Sequence, residues 1–350
     1  MPHSGDQQDT RGPTGIAGVL RNLSRLNRSH PASPTATVPT VGVRRGGPEY
    51  FGGPPNNDQL FTQLKAGSPL PDRVAAAAQF RTIVAEYALS SVTEIWLAAQ
   101  DMLDPQNPPD VRQAALKLMT ACIQQSDPTA LDRLHFYKII TTHSCLDDFD
   151  DQLLALVALT NNGKNVASFE KDILGLLSKW IRLWFREASQ ARQARKRENG
   201  PTAALPATEF NFTQLMKFVT DIVKFNHSAF EERQVNALLS EFLSVCKKTT
   251  SRDDIKYSLT FIDVLITYGY IPRQTLTQCI EVLCGAYTTV KELADTTWGA
   301  VANLCRSYMA HNTILVLREI LGSPSRKSSR TNNSLRGAVY FLERDRKSVV

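Results

Sequence analysis

Apolar residues recur along this chain at the spacing of an α-helix, and this periodicity limits the fold more than any other feature. In two segments they fall at i, i+3, i+4, i+7, i+8 and i+11, which places them on one broad face of a helix. The two sets are Ile173, Leu176, Leu177, Trp180, Ile181 and Trp184, and Val235, Leu238, Leu239, Phe242, Leu243 and Cys246. No stretch alternates apolar and polar residues between hairpin turns, so the sequence predicts no strands.

Segments with this period follow one another from Asn57 onward and are joined mostly by short connections. Short connections make sequential helices antiparallel neighbours, and the pairs recur about every 40 residues, as in HEAT and armadillo repeats. An amphipathic pair buries its apolar face only against other pairs. We therefore predict an all-α fold, an α-solenoid of stacked antiparallel helix pairs of the HEAT/armadillo type. The predicted helices are 57–66, 72–88, 91–103, 109–125, 129–142, 148–160, 166–190, 209–226, 231–248, 252–268, 272–286, 291–310, 312–321 and 333–342.

Capping residues mark several predicted helix ends. Asp127 before Pro128 is typical of an N-cap followed by proline at the first helical position. Ser251 and Asp254 have the spacing of a capping box. The Asn-Asn-Gly sequence at 161–163 predicts a left-handed stop at the end of a helix. These signals agree with the boundaries that the periodicity predicts.

The chain divides into one helical domain and several polar segments. Residues 1–56 are rich in Gly, Pro, Ser, Thr and Arg and bury too little apolar surface to offset their ordering entropy, so we predict a disordered basic arm. Residues 57–342 form the helical repeat domain, and 343–350 form a disordered tail. The charged stretch at about 191–208 contains Gly and Pro and predicts a flexible linker. It is either an insertion between two repeats, which we favour, or the division between two subdomains.

The net charge of +6 is mildly basic, and the surplus lies in stretches that we interpret as loops. These are the first 56 residues, Arg192–Arg197 and Arg326–Arg330. Such runs are typical of solvated segments rather than of grooves that bind phosphates. A basic helical repeat that binds nucleic acid, or a transport adaptor, is the alternative function. No set of base-reading positions recurs from pair to pair, which argues against nucleic acid as a partner.

Cysteine usage and the termini indicate the compartment. The six cysteines include no Cys-x-x-Cys pair and no zinc-ligand spacing, which predicts free thiols in a reducing environment. The N-terminus has no apolar run typical of a signal peptide, and no stretch approaches 18 apolar residues. We expect a cytoplasmic protein without a membrane span, which reaches a membrane only at its periphery through an assembled complex.

Three short motifs suggest chemistry, and each has a simpler structural interpretation. His143 and Cys145 lack an identifiable residue that would orient them for nucleophilic catalysis. The acidic run at 147–151 lacks the glycine and the distal glutamate of a calcium loop. The turn at 161–165 lacks the spacing of a phosphate-binding loop and a preceding strand. We therefore predict no catalytic, cofactor or metal site, and a chain that is not an enzyme.

Other residues are candidates for contacts or for regulation. Trp180, Trp184 and Trp298 lie on apolar stripes and are expected in the core, unless one of them anchors a partner. The candidate partner-facing residues are Asn161, Asn162, Lys164, Asn165 and Arg336. Serines beside proline or basic residues are candidate phosphorylation sites, where a phosphate would reverse the local charge. These are Ser33, Ser68, Ser323, Ser328 and Ser348.

Several strings occur in the order and spacing of the N-terminal domain of the tuberin family. They are Leu-Thr-Asn-Asn-Gly-Lys-Asn at 159–165 with Ser-Phe-Glu at 168–170 and Trp180, Val-Lys-Phe-Asn at 223–226, Val-Lys-Glu-Leu at 290–293 with Trp298, and Leu-Arg-Gly-Ala-Val at 335–339. No single string is diagnostic, but together they make the chain resemble this family over about 75–342.

The resemblance implies an α-solenoid that engages the long coiled coil of the partner subunit, hamartin. In this family the two subunits form the GTPase-activating complex for the small GTPase Rheb and restrain signalling through the TOR kinase complex. The activating domain lies at the far C-terminus of a much longer chain, and nothing like it occurs in these 350 residues. The resemblance therefore implies a non-catalytic scaffold that meets Rheb only through the missing domain. It also implies a fragment, a truncated gene model or an N-terminal isoform.

Overall fold

A computed structural model of the chain describes residues 41–44, 57–89, 92–126, 128–142, 145–197, 207–269, 271–322 and 336–343. In these ranges the chain forms fourteen α-helices and two short strands. The helices are α1 Asn57–Leu64, α2 Leu70–Glu86, α3 Thr93–Ala99, α4 Pro109–Gln125, α5 Ala130–Thr142, α6 Phe149–Leu159, α7 Glu170–Arg197, α8 Ala207–Asn226, α9 Glu232–Lys248, α10 Arg252–Tyr268, α11 Arg273–Thr289, α12 Ala294–Arg306, α13 Ala310–Gly322 and α14 at 336–343. Short 3-10 turns lie at Gln100–Leu103, Leu146–Asp148, His227–Ala229 and Lys291–Leu293.

The helices stack in two layers. Helices α2, α4, α6, α8, α10 and α12 contact one another in succession, and we name this the even layer. Helices α7, α9, α11 and α13 do the same, and we name this the odd layer. Pairs such as α7–α8, α9–α10 and α11–α12 pack across the layers and enclose the core. The predicted all-α solenoid of stacked helix pairs is confirmed, since each pair buries its apolar face against its neighbours.

Large aromatic rings fill the space between helices. Phe149 at the start of α6 lies 4.2 Å from Trp184 and 5.1 Å from Trp180, measured between ring centroids. Both tryptophans are buried, so the prediction that they belong to the core is confirmed. Trp298 is half-buried, with its ring 5.9 Å from that of Phe341 on α14.

The cysteines are all free thiols. Burial raises the pKa of four of them to about 12, namely Cys122, Cys246, Cys279 and Cys284. At neutral pH these groups therefore stay protonated, and a protonated thiol is a poor nucleophile. These four thiols pack as small apolar groups, and the predicted free state of the cysteines is confirmed.

Two buried arginines and a third that is half-buried lie between helices, and each is paired with a carboxylate. Arg73 on α2 donates to the two carboxyl oxygens of Asp101 at 2.8 and 2.5 Å. Arg112 on α4 donates to Asp148 at 2.6 Å, and both of these side chains are almost fully buried. A charge withdrawn from water is tolerated only when it is paired in this way.

The third of these arginines lies where the sequence predicts a flexible linker. Helix α7 continues to Arg197, and Arg192 donates to the two carboxyl oxygens of Asp254 on α10 at 2.5 and 2.8 Å. Arg192 also lies 3.3 Å from Glu209 on α8. The predicted linker at about 191–208 is therefore wrong for its first seven residues, because these ion pairs hold them in the helix. Residues 198–206 lie outside the described residues.

The same ion pair changes the start of α10. Ser251 occupies the N-cap position but makes no side-chain cap hydrogen bond, so the predicted capping box is wrong. Asp254 instead accepts from Arg192 and from the hydroxyl of Thr249 at 2.7 Å. The Asp254 carboxylate pairs with Arg192 rather than with the backbone at the start of α10, since hydrogen bonds to a charged guanidinium are stronger than a cap hydrogen bond.

Helix α5 also begins differently from the prediction. Thr129 and Asp132 exchange cap hydrogen bonds of 3.2 Å between the backbone N–H of each and the side chain of the other. Thr129 therefore caps this helix, and Asp127, the predicted cap, lies outside the described residues. A reciprocal pair satisfies two N–H groups and is preferred over a single cap.

Two short strands, β1 Val41–Arg44 and β2 Tyr87–Leu89, pair antiparallel beyond the end of α2. The prediction of no strands is wrong here, and β1 also departs from the predicted disorder of residues 1–56. Strands of three or four residues are too short to show a period of two in the sequence. The rest of the predicted arm, 1–40 and 45–56, and the predicted tail from 344 onward lie outside the described residues.

Candidate protein-interaction surface

The turn between α6 and α7 contains four of the predicted partner-facing residues. Its backbone is left-handed at Asn161 (φ 49°), Asn162 (φ 57°) and Gly163 (φ 81°), which confirms the predicted helix stop. A β-carbon on Gly163 would lie 3.0 Å from the backbone nitrogen of Ile222 and 3.1 Å from Cβ of Asp221. Glycine is therefore required both by the backbone conformation and by the close approach of α8.

Side chains from two other helices hold this turn in place. Asn226 at the end of α8 donates from its amide to the Gly163 carbonyl at 2.7 Å. Arg133 on α5 donates to the carbonyls of Leu159 at 2.8 Å and Asn165 at 2.9 Å. The bond to Leu159 satisfies a carbonyl at the end of α6, and the other two satisfy carbonyls of the turn itself. The turn thus presents its outer side chains from a fixed backbone.

Asn161, Asn162, Lys164 and Asn165 are all exposed, but their surroundings differ. Asn165 acts locally, because its side-chain oxygen accepts the backbone N–H of Ala167 at 3.0 Å. Lys164 points toward α8, with Nζ 5.9 Å from the centroid of the ring of an exposed phenylalanine. Contact of these four residues with a partner stays a prediction.

Lys164 belongs to the first of two groups of lysine and aromatic side chains on the even layer. Its phenylalanine is Phe225, whose ring centroid also lies 5.5 Å from Nζ of Lys224. Lys224 Nζ lies 5.6 Å from the ring of Tyr268 at the end of α10. Both rings are 46% exposed, and a cation over such a ring is attracted by its electron-rich face. We name Lys164, Lys224, Phe225 and Tyr268 the turn-end cluster.

The second group lies farther from the turn on the same two helices. Lys217 on α8 has its Nζ 5.2 Å from the ring of Tyr257 on α10, and Lys256 Nζ lies 5.9 Å from that ring. We name these three residues the mid-helix cluster, and the two clusters together the lysine–aromatic face. In the part of the chain that the structure describes, none of its four lysines is among the cations that form ion pairs.

Asp221 adds a negative charge to this face, between Lys217 and Lys224 along α8. Partial burial raises the pKa of its carboxyl, and the nearby Lys224 opposes that rise. The exposed side of α8 therefore presents a positive, a negative and a positive group in turn.

Sequence reasoning did not find Lys217, Lys224, Phe225, Tyr257 or Tyr268. Helical periodicity assigns an aromatic residue in an apolar segment to the core, so the exposed rings were not distinguishable. A partial signal was present, since lysine directly precedes an aromatic residue at 224–225 and at 256–257. That dipeptide places a cation beside a ring but does not show which helix faces it.

A groove crosses α2, α4 and α6 at the other end of the even layer. Its volume is about 440 Å³, and Arg81, Lys117, Asp151 and Leu154 are among the residues that line it. Lys117 pairs with Asp151 at 3.5 Å, and Leu154 is 57% exposed. An open groove with charged walls differs from the enclosed apolar pockets that bind small ligands.

Arg336 is exposed at the start of α14. A β-carbon on Gly337 would lie 2.3 Å from the carbonyl oxygen of Cys284, so α14 packs directly on the backbone of α11. The Tyr340 ring stacks on Tyr287 with centroids 4.2 Å apart. Arg336 therefore belongs to a different surface from Lys164.

Among the candidate phosphorylation sites, Ser68 is half-buried in the α1–α2 turn, and its hydroxyl donates to the Thr62 carbonyl at 3.1 Å. Phosphorylation of Ser68 would remove this hydrogen bond. The other candidates lie outside the described residues: Ser33, Ser323, Ser328 and Ser348.

The motifs that suggested chemistry have structural roles or lie outside the described residues. Asp148 in the acidic run is paired with Arg112, and Cys145 is half-buried, whereas His143 lies outside the described residues. Within the described ranges, no group of three or more His, Cys, Asp or Glu side chains could hold a metal ion. No helix in those ranges combines the length and apolarity needed to cross a bilayer.

Comparison with known proteins shows the family. A family model described as a domain of unknown function, DUF3384, matches residues 70–345. The chain belongs to this family. The tuberous sclerosis 2 protein homolog of Schizosaccharomyces pombe is 26% identical over 265 residues, which are 73% of this chain and 19% of that protein. Another S. pombe protein, uncharacterized protein C18B11.11, is 24% identical over 226 residues, 64% of this chain and 17% of that protein.

A solved structure is also similar to this chain. The structure of the TSC2 N-terminus matches with a TM-score of 0.75 and 32% identity, and the match covers 82% of this chain and 70% of that chain. The predicted resemblance to the tuberin N-terminal domain is confirmed, and the similarity supports a TSC2-like scaffold region. It is also compatible with a region that performs no chemistry. The chain spans under a fifth of the length of the curated relatives it matches.

Proposed function

We propose that this region is a non-catalytic cytoplasmic scaffold that binds the coiled coil of a hamartin-like subunit. The observation that carries the proposal is the even layer, where the neighbouring helices α8 and α10 of a TSC2-like solenoid present partly exposed aromatic rings with lysines beside them. Stacked helices leave long grooves between neighbours, and a helix docks in such a groove through apolar anchors and a polar rim.

The interior of the solenoid supports the same proposal. The Arg112–Asp148 pair joins α4 to the turn before α6, and Arg192 joins α7 to α8 and α10. Such links fix the position of each helix relative to its neighbours. A scaffold that holds a long partner needs this fixed spacing, because a flexible array would have to be ordered when the partner binds.

In a full-length tuberin-type protein, the region contributes to a GTPase-activating complex that acts on Rheb and restrains TOR signalling. Under this proposal the region uses no cofactor, and Rheb meets an activating domain elsewhere in the longer protein. A role in nucleic-acid binding has less support, because Arg192, one of the basic residues that suggested it, is paired with Asp254 and Glu209.

Titration calorimetry with the full 350-residue chain and the purified hamartin coiled coil tests the proposal. We expect saturable one-site binding with a micromolar or lower Kd. A coiled coil of unrelated sequence with the same length and net charge is the control, and it should not bind. No heat of binding at micromolar concentrations, or equal binding of the control, would contradict the scaffold function.

A further inference from the structure

We infer that the lysine–aromatic face of α8 and α10 is the docking surface for one helix of an acidic coiled coil. The inference rests on the proposed function and specifies the surface and the charge pattern that it uses.

The spacing of the lysines on α8 suits a helical partner. Lys217 and Lys224 are seven residues apart, so they lie on the same side of α8, about 10.5 Å apart along its axis. Coiled-coil sequences repeat every seven residues, so acidic side chains at one heptad position have the same spacing. Asp221 lies between the two lysines, which calls for a basic or amide side chain between the two acidic ones. A complementary partner helix would therefore carry an acidic side chain, then a basic or amide side chain, then a second acidic side chain, each about one turn after the one before.

The rings of α10 give this charge pattern an apolar base. Lys217 lies over Tyr257, and Lys224 lies over Tyr268, at 5.2 and 5.6 Å. Both contacts run in the same order along the two helices, so α8 and α10 are parallel and the two clusters follow one another along them. Phe225 and Tyr268 are each 46% exposed, and a docked helix would cover them. Aromatic anchors with charged neighbours are the usual centres of binding energy in protein interfaces.

The state of the four lysines indicates the sign of the partner. Buried arginines elsewhere are paired with carboxylates of the chain itself, as Arg112 is with Asp148. The lysines of this face form no ion pair in the described part of the chain, and their ammonium groups are held over rings instead. Carboxylates from a partner would complete these sites and accelerate encounter by electrostatic attraction.

Charge also argues against an occupant from this chain. The first 56 residues carry six arginines against three acidic residues, and 323–335 carries three basic residues and no acidic one. A second copy that docked through the same face would bring lysines against lysines across a two-fold axis. An acidic membrane or a nucleic acid is also negatively charged but lacks the seven-residue spacing of a coiled coil. The test below distinguishes these two partners from the coiled coil.

Charge reversal on α8 tests the inference. The variant is Lys217→Glu with Lys224→Glu in the full chain, and its affinity for the hamartin coiled coil is measured by titration calorimetry. The matched control is Lys171→Glu with Lys179→Glu, which makes the same change of net charge at exposed positions of α7 in the odd layer. Circular dichroism checks that both variants keep their helix content. We expect the α8 variant to lose about tenfold or more in affinity and the control to stay within about twofold, because only the α8 change places like charges across the interface.

The other outcomes overturn the inference in different ways. Unchanged affinity of the α8 variant, with the wild type still binding, rejects this surface and leaves the proposed function standing. Equal losses in both variants show only general attraction between opposite charges and also reject the surface. Absence of binding by the wild type rejects the proposed function and the inference with it.

Two further measurements separate the kinds of partner. Phe225→Ala with Tyr268→Ala, which leaves all charges in place, should also weaken coiled-coil binding by about tenfold. Phosphatidylserine vesicles and a single-stranded oligonucleotide are tested as competitors. We expect neither competitor to displace the coiled coil. Lysine-dependent binding of either competitor, with the coiled coil unaffected by the α8 variant, would assign the face to a membrane or to nucleic acid instead.

Discussion

The buried arginines and the surface lysines of this solenoid carry the same charge in opposite settings. Arg112 and Arg192 have side chains only 6% and 14% exposed, and each donates to a carboxylate of another element of the chain. Lys217 and Lys224 lie beside partly exposed rings and form no ion pair in the described residues. The arginines join helices, whereas the lysines, within the described residues, lie at the surface beside rings.

Side-chain chemistry explains why the two settings use different residues. The planar guanidinium of arginine donates to two carboxyl oxygens at once, as Arg192 does with Asp254, so it fixes both distance and direction between helices. Lysine carries a compact, strongly hydrated charge on a flexible stem. It therefore stays solvated without a partner and reorients when a carboxylate binds. Stability and binding should therefore depend on different cations, and substitutions can separate them.

The largest effect is expected from Asp148→Ala, which leaves the Arg112 guanidinium buried without its carboxylate. Removal of one partner of a buried pair costs about 3–5 kcal/mol in the free energy of unfolding. Urea unfolding followed by circular dichroism measures the loss. The double variant Arg112→Met with Asp148→Leu removes both charges and should recover most of it. A loss below about 1 kcal/mol in the single variant would show that the pair does not hold the helices together.

A smaller effect is expected from Gly163→Ala at the turn that carries Lys164. The left-handed backbone costs about 1–2 kcal/mol with a side chain, and the contact of the new methyl group with α8 adds to it. Gly67→Ala is the control, because Gly67 also has a positive φ, of 99°, but has no atom within 4 Å of an added β-carbon. Urea unfolding should show the larger loss for Gly163→Ala. Equal losses would mean that the approach of α8 does not constrain this turn.

The smallest effect is expected from Lys217→Ala with Lys224→Ala. Neither lysine forms an ion pair in the described residues, so only their contacts with the rings are lost and the free energy of unfolding should change by no more than about 1 kcal/mol. The variant loses three cation–π contacts, that of Lys217 with Tyr257 and those of Lys224 with Phe225 and Tyr268, and at 5.2 to 5.6 Å each lies in the outer part of the distance range. Thermal and urea unfolding of the variant and the wild type provide the comparison. A loss above about 1.5 kcal/mol would place these lysines with the arginines as structural cations.

Periodicity predicted the helices well, because a helix that buries one face needs an apolar residue there at every turn. This requirement does not depend on which element packs against that face. The predicted helix at 231–248 is α9, Glu232–Lys248, within one residue. The prediction failed where a distant partner decides the structure, as when Arg192 extends α7 by pairing with Asp254. No local pattern in the sequence shows which carboxylate a given arginine will meet.

The lysine–aromatic face escaped prediction for the same reason. Its members come from the α6–α7 turn, from α8 and from α10, and they meet only because α8 and α10 stack side by side. The turn itself was predictable, since Asn-Asn-Gly at 161–163 indicates a left-handed stop from local chemistry alone. Lys164 was therefore found, and the ring of Phe225 beneath it was not.

The most direct test measures two quantities on one protein, the Lys217→Glu, Lys224→Glu variant. They are its affinity for the hamartin coiled coil and its free energy of unfolding, each relative to the wild type. The account predicts a loss of about tenfold or more in affinity with an unfolding free energy within about 1 kcal/mol of the wild type. An unchanged affinity, or a fall in stability large enough to explain the lost binding, would contradict it.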